Sequence, residues 1–444
     1  MTDQRCIVLG AGGRDFHDFL TFFRVHRDMR VVCFTAAQIP FIEARSFPKE
    51  LAGPGYDADI PIHPENELEA LIARHDVAWV FLAYSDLSHE DVMHKASRVL
   101  ASGASFAILG PKHTDLVSAK PVVSVTAVRT GAGKSPLAQA LARHLRKQGV
   151  RVALLRHPMP YGDLARQRVQ RFESPADLDR HDCTIEEREE YEPYLESGIV
   201  VWAGVDYTAV LRGAEAECDL VLWDGGNNDL SFLRSDLHIV VVDALRPGHE
   251  TRFHPGEANL RGADVVVINK VGSAEPDAVA RILETVRTVS PRATVIESDL
   301  AIRVDGEHNL AGKRVVVIED GPTVTHGGMG YGAGTIVARR AGANVIDPRP
   351  HAVGTIAAAF REFGHLAAVL PALGYSDTQR KELAETIRRA APDWVIDASP
   401  ARVAKLLGLA IPTATVRYSF EQRSGPSIME IVEAVASAKE RQRR

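Results

Sequence analysis

The stretch TAVRTGAGKSPLAQALARHL, residues 126–145, sets Gly133, Lys134 and Ser135 directly ahead of a helical pattern and behind the apolar run VVSVTAV. An ammonium and a hydroxyl on a glycine-rich turn between strand and helix suit a polyphosphate. Glycines let backbone amides approach an anion, and the helix N-terminus adds a positive dipole end. The amides of Thr130, Gly131, Ala132, Gly133, Lys134 and Ser135, with Arg129 opening the loop, form the expected ATP cradle. Lys134 would span the β- and γ-phosphates and Ser135 would hold Mg²⁺. The pattern G-x-x-x-x-G-K-[ST] has Val128 where its first glycine belongs. Val128 reads as the end of the strand, with the turn made one or two residues later.

Other strand ends supply companions. In CDLVLWDGGNNDL the apolar run ends at Asp224, the position of a carboxylate that holds Mg²⁺ directly or through water. In ADVVVINKVGSAEP, Asn269 and Lys270 stand where N-K-x-D would lie, but the carboxylate position is Gly272. That aspartate is the guanine acceptor, so its absence favours ATP over GTP. The run RVALLRHPMPYGDLARQRVQRFES ends a strand at Arg156 and His157, facing the γ-phosphate. Asp163 is a candidate second metal ligand, and Arg166, Arg168 and Arg171 follow on what reads as a helix, Arg166 as a substrate contact and Arg168 as a solvated surface residue. In EDGPTVTHGGMGYGAGT, His326, Gly327 and Gly328 make a second candidate anion cradle. Near the start, Gly12, Gly13 and Arg14 belong to LGAGGRDFHDF, where Asp15 takes the third glycine position of G-x-G-x-x-G. With no acidic residue closing the next strand, the turn reads as a substrate contact or a packing feature and not as a dinucleotide site. The acidic run DCTIEEREEYEPYLESG, residues 182–198, reads as a solvated helix face.

These residues need strands and helices to position them. Apolar runs of strand length without strict alternation recur between amphipathic stretches, the pattern of parallel strands covered on both faces. The fold class is therefore α/β: an N-terminal Rossmann-like domain (residues 1–117), a P-loop NTPase domain (118–303), and a C-terminal α/β segment (304–444) completing the substrate site. At 444 residues the chain exceeds one ordinary core, and its 45% hydrophobic and 25% charged residues exclude wholesale disorder. A net charge of −6 offers no general attraction to nucleic acid or anionic membranes, so positive partners for an anionic ligand must be gathered locally. Four cysteines without C-x-x-C spacing, and an N-terminus that runs straight into a strand, point to a cytoplasmic enzyme.

Together TAVRTGAGKS, LLRHPMPYGDL, EEYEPYLESGIVVWAGVDY, LWDGGNND and EDGPTVTHGGMGYGAG resemble the cyclic 2,3-diphosphoglycerate synthetases over most of the chain. The resemblance implies ATP- and Mg²⁺-dependent closure of 2,3-diphosphoglycerate, a phosphorylated acid, into a cyclic pyrophosphate by a cytoplasmic homodimer. A substrate phosphate would attack the γ-phosphoryl of ATP, and the second phosphate would displace inorganic phosphate. Lys134, Arg156, His157 and Asp224 would serve that chemistry. The alternative is a P-loop GTPase or ATPase acting as a nucleotide switch or metal-delivery protein, for which the chain offers only HDC at residues 181–183.

Overall fold

The computed structural model describes residues 4–37, 45–156, 162–225, 229–306, 308–325, 327–374, 376–400 and 402–443. Among them, the first segment builds a six-stranded sheet in the order Ser46–Phe47, Ile60–Pro64, Met29–Ala36, Gln4–Leu9, Trp79–Leu82, Ser105–Ala107. All pairs are parallel except that between Ser46–Phe47 and Ile60–Pro64. Phe16, Phe19, Phe34 and Phe47 pack edge-on or tilted beneath it, with ring centroids 4.9–5.9 Å apart.

The rest of the chain forms a 13-stranded sheet. Its first half orders Val200–Ala203, Val152–Leu155, Leu220–Asp224, Val122–Ala127, Leu237–Asp243, Val265–Asn269 and Thr294–Val304 as parallel neighbours, with Gln170–Phe172 antiparallel at the edge. Connections leave Val122–Ala127 to one side and later return to its other side, so its carboxyl end lies at the crevice where α/β sheets bind ligands. All six residues of that strand are buried. The helix that follows, Lys134–Lys147, lays Leu137, Leu141 and Leu145 on the sheet, each fully buried. Their spacing of four gives the helix one apolar stripe, and each contributes about 1.5–3 kcal/mol by leaving water.

Thr294–Val304 then pairs antiparallel with Thr413–Ser424, and that long ribbon carries the sheet into Trp394–Asp397, Arg314–Glu319 and Asn344–Val345. The C-terminal segment is thus hydrogen-bonded into the same sheet as the phosphate loop. The first segment docks on it through Leu87–Ser88, antiparallel to Phe253–His254, and through the His17 ring stacked on Phe232 at 4.1 Å.

That junction carries an acid-sensitive group. Burial, with His89 and Arg14 adding to it and Asp229 opposing, pushes His254 down to about 4. An unfolded histidine titrates near 6.5, so the unfolded chain binds more protons as the pH falls from about 6.5 towards 4, and stability is lost across that window. Urea denaturation at pH 7 and pH 5 should show that His254→Gln removes about 1–2 kcal/mol of the acid-induced loss.

Candidate active site

The phosphate loop is held from behind. Val128, in the place of the missing glycine, still pairs as strand, its N–H donating to Val241 O at 3.0 Å. Three consecutive carbonyls are then tied by side chains from the neighbouring strand ends. Arg246 Nη2 donates to Thr130 O at 2.7 Å, Lys270 Nζ to Gly131 O at 2.7 Å, and Asn269 Nδ2 to Ala132 O at 2.8 Å. Asn269 and Lys270 therefore brace the cradle, and no base contact is needed to explain them. Gly133 has φ of +104°, and a Cβ there would fall on Asn269 Nδ2, so only glycine serves. Buried Asp243 collects Lys270 at 2.8 Å and Arg246 at 2.9 Å, which fixes two of the three braces. Arg246, in the unremarkable stretch ALRPGH, also donates to Gly327 O at 2.7 Å and links the two halves of the sheet.

Lys134 opens the helix, but its Nζ lies 2.5 Å from Asp224 Oδ1 and also donates to Gly225 O. Asp224 Oδ2 takes Arg156 Nη1 at 2.7 Å and the Tyr194 hydroxyl. Arg156 Nη2 reaches Glu190 Oε2 at 2.5 Å. Burial alone would raise the Asp224 carboxyl, but Arg156 and Lys134 outweigh it and hold the group below the ordinary carboxylate range. Two cations and two anions thus neutralise one another out of water.

The helix Ile185–Leu195 supplies Glu190 and Tyr194, and here the sequence expectation fails. Its acidic residues are not a solvated face: Glu187 and Glu189 are 3% and 5% exposed. Glu187 closes a capping box with Thr184, its carboxylate accepting from Thr184 N at 2.8 Å. Arg156, itself buried, is what makes a partly buried carboxylate at Glu190 tolerable.

A cavity of about 230 Å³ opens in front of the loop, lined by Lys134, Ser135, Arg156 and Lys270 together with Glu189, Glu190, Glu319 and Asp320. Leu300, Ile302 and Ile336 form apolar wall, and Tyr418 faces the carboxylates. Burial, then Asp320, Glu189 and Glu319, push the Tyr418 hydroxyl well up, so it is a proton donor here.

Several expected contacts are not brought to this cavity. The amides of Gly12 and Gly13 donate to Asp15 Oδ1 at 2.9 and 3.0 Å, so that turn already holds an anion of its own. Arg14 pairs with Asp18 at 3.0 Å and Thr114 at 2.8 Å, in the junction between the sheets. Asp163 is exposed and caps the amides of Ala165 and Arg166 instead of facing a metal. Exposed Arg166 lies on a turn, where a helix was expected. Arg168 and Arg171 pair with Asp206 and Glu217. Arg129 does line this cavity, but its guanidinium is buried against Asp86 at 2.8 Å and stacked on the Phe253 ring, and so ties the first segment to the loop. Gly327 and Gly328 are engaged by Arg246 and by Thr325 O, while the helix Ala333–Arg340 has its first amides on Glu319. His157 and His326 lie outside the described residues. Among the described residues no group of three His, Cys, Asp or Glu converges as a metal site, His181, Asp182 and Cys183 included.

If the cluster is as coupled as its geometry implies, removing one donor leaves a buried charge short. Tyr194→Phe should cost about 1.5–3 kcal/mol in urea denaturation, and Arg156→Ala about 3–5 kcal/mol.

Comparison with known proteins gives these findings. Residues 111–319 match the family described as LpxK, tetraacyldisaccharide-1-P 4'-kinase. A protein of Thermococcus kodakarensis named arginine synthetase ArcE is 53% identical over 431 residues, 97% of this chain and 96% of its own. Among solved structures, LpxK of Aquifex aeolicus in complex with ATP aligns with a TM-score of 0.42 and 12% identity, covering 83% of this chain and 99% of that one. The hydrogenase maturation factor HypB of Archaeoglobus fulgidus aligns with a TM-score of 0.26 and 23% identity, over 40% of this chain and 81% of its own. With a phosphate loop on an α/β sheet and a near-full-length relative of this similarity, the chain is an ATP-dependent phosphoryl-transfer enzyme and belongs to the cyclic 2,3-diphosphoglycerate synthetase family.

Proposed function

We propose that this member phosphorylates a ureido oxygen with ATP and lets ammonia displace the phosphate, making arginine from citrulline. The observation that carries this reading is the charge of the cavity. Glu189, Glu190, Glu319 and Asp320 line it, and Arg156, which lines it with them, is already neutralised by Asp224 and Glu190. A diphosphorylated acid would bring at least four more negative charges against those carboxylates. A ureido or guanidinium end brings N–H donors, which carboxylates accept well. The name of the relative, arginine synthetase, supports the same choice.

In the proposed reaction the γ-phosphorus forms a bond to the ureido oxygen and ADP leaves. Ammonia then forms the new C–N bond as the C–O bond to phosphate breaks, and one proton leaves the attacking nitrogen. Asp320, which lines the cavity and whose carboxyl is pushed up by burial with Glu190 adding to the rise, would take it. Lys134 must leave Asp224 for the triphosphate, and the loop amides hold the β-phosphate in line. The glycine geometry and the tied-back carbonyls fit a nucleotide, and Ser135, which lines the cavity, with Asp224, once Lys134 has left it, would hold a Mg²⁺ that supplies charge neutralisation on the phosphates. Four free, buried cysteines accord with a reducing, cytoplasmic setting, and no helix among the described residues is long and apolar enough to cross a membrane. A homodimer completes this reading, and sedimentation measures it.

The deciding assay supplies ATP, Mg²⁺ and ammonium with either citrulline or 2,3-diphosphoglycerate and follows products by phosphorus NMR and amino-acid analysis. Arginine, ADP and phosphate should appear with citrulline alone. A cyclic pyrophosphate signal from diphosphoglycerate, with citrulline inert, would reverse the assignment. Lys134→Ala should lower turnover by about 10²–10³ or more, as loss of a positioned charge does.

A further inference from the structure

The nucleotide site contains a carboxylate that the sequence pattern hides. After Asn269-Lys270, the position that would carry the aspartate of N-K-x-D is Gly272, in the short turn Val271–Ser273. The neighbouring strand Thr294–Val304 fills the gap. It runs parallel to Val265–Asn269 with Ile268 opposite Glu297, so the next strand places Ser298 and Asp299 just past the Asn269-Lys270 corner. Ser298 Oγ donates to Asn269 Oδ1 at 3.0 Å and fixes that register. A Cβ on Gly272 would fall on Asp299 Oδ2, which means that the carboxylate occupies the space the missing side chain would enter. Asp299 lines the same cavity as Lys134 and Lys270, and its side chain is 13% exposed. Its Oδ1 accepts from Leu300 N at 3.0 Å, and Arg423 Nη2 stands 3.6 Å from Oδ2, too far for a hydrogen bond.

We infer that Asp299 reads the nucleobase of the bound triphosphate by accepting the exocyclic amino group of adenine on Oδ2. A single donor suits a carboxylate whose Oδ1 is held by Leu300 N, whereas the two adjacent donors of guanine call for both oxygens. A partly buried carboxylate with spare acceptor capacity is costly unless a donor meets it, and an amino-purine edge is such a donor. Glycine at position 272 is then a requirement of the site, because any side chain there would displace the acceptor. The inference rests on the reading that ATP binds at the phosphate loop.

The test compares KM for ATP with KM for purine riboside triphosphate, which lacks the amino group, in the wild-type enzyme, Asp299→Ala and Asp299→Asn. Asp299→Ala should raise KM for ATP about tenfold, leave KM for the amine-free analogue unchanged, and keep kcat at saturation within about twofold. Asp299→Asn, which retains an acceptor of the same size, should restore most of the preference for ATP. An equal rise for both nucleotides, or no rise for either, overturns the assignment, and a purely structural aspartate would give one of those results. Calorimetry with wild type and Lys134→Ala separates the two readings: nucleotide binding that depends on Lys134 but is indifferent to the amine sinks only the role of Asp299. Binding that ignores Lys134 removes the site itself.

Discussion

One buried ion cluster organises this enzyme: Asp224, gripped by Lys134, Arg156 and Tyr194, with Glu190 on the far side of Arg156. Taking such charges out of water costs several kcal/mol each, and mutual pairing offsets that cost only when every member is present. The cluster therefore joins elements that are distant in sequence. It needs the carboxyl ends of Val152–Leu155 and Leu220–Asp224 side by side, the start of Lys134–Lys147 above them, and Ile185–Leu195 closed over the top. Its net neutrality has a chemical consequence for the proposed function. A triphosphate that drew Lys134 away would leave Asp224 with negative charge to spare for a divalent cation accompanying the nucleotide.

A second network keeps the loop ready for that exchange. Arg246, Lys270 and Asn269 hold its carbonyls, and Asp243 holds two of those three side chains. Because Arg246 also bonds Gly327 O, the nucleotide edge and the C-terminal edge are connected through one guanidinium. The long ribbon of Thr294–Val304 with Thr413–Ser424 brings those two edges of one sheet to a common cavity. The phosphate loop and the carboxylates of the cavity are in this way set by a single hydrogen-bonded sheet.

The α/β class and the strand, loop and helix around Lys134 were legible in the sequence, because a buried parallel strand, a glycine turn and a stripe of leucines four apart each leave a local pattern. Asp224 and Arg156 were legible as strand-end residues, and the structure brings both to Lys134. Other features leave no such trace. Glu190 and Tyr194 sit in a run whose charge density looks like surface, and only their pairing with Arg156 and Asp224, which the sequence does not reveal, explains why they turn inward. The turns at Gly12-Gly13 and before Ala333–Arg340 have the composition of anion cradles, and they do hold anions, but the anions are Asp15 and Glu319 of the chain itself. Asp299 was invisible because its relation to Gly272 exists only across two strands. Composition gives the sign of a site's charge poorly: the net −6 chain gathers Arg129, Lys134, Arg156 and Lys270 at this cavity, and sets Glu189, Glu190, Asp299, Glu319 and Asp320 in the same lining.

A structure of the enzyme with Mg²⁺ and a non-hydrolysable ATP analogue tests the central claim most directly. The triphosphate should lie on residues 130–135, with Lys134 Nζ moved from Asp224 to the phosphates and Arg156 still bound to Glu190. A nucleotide seated elsewhere, with the Lys134–Asp224 pair intact beneath it, would contradict this account.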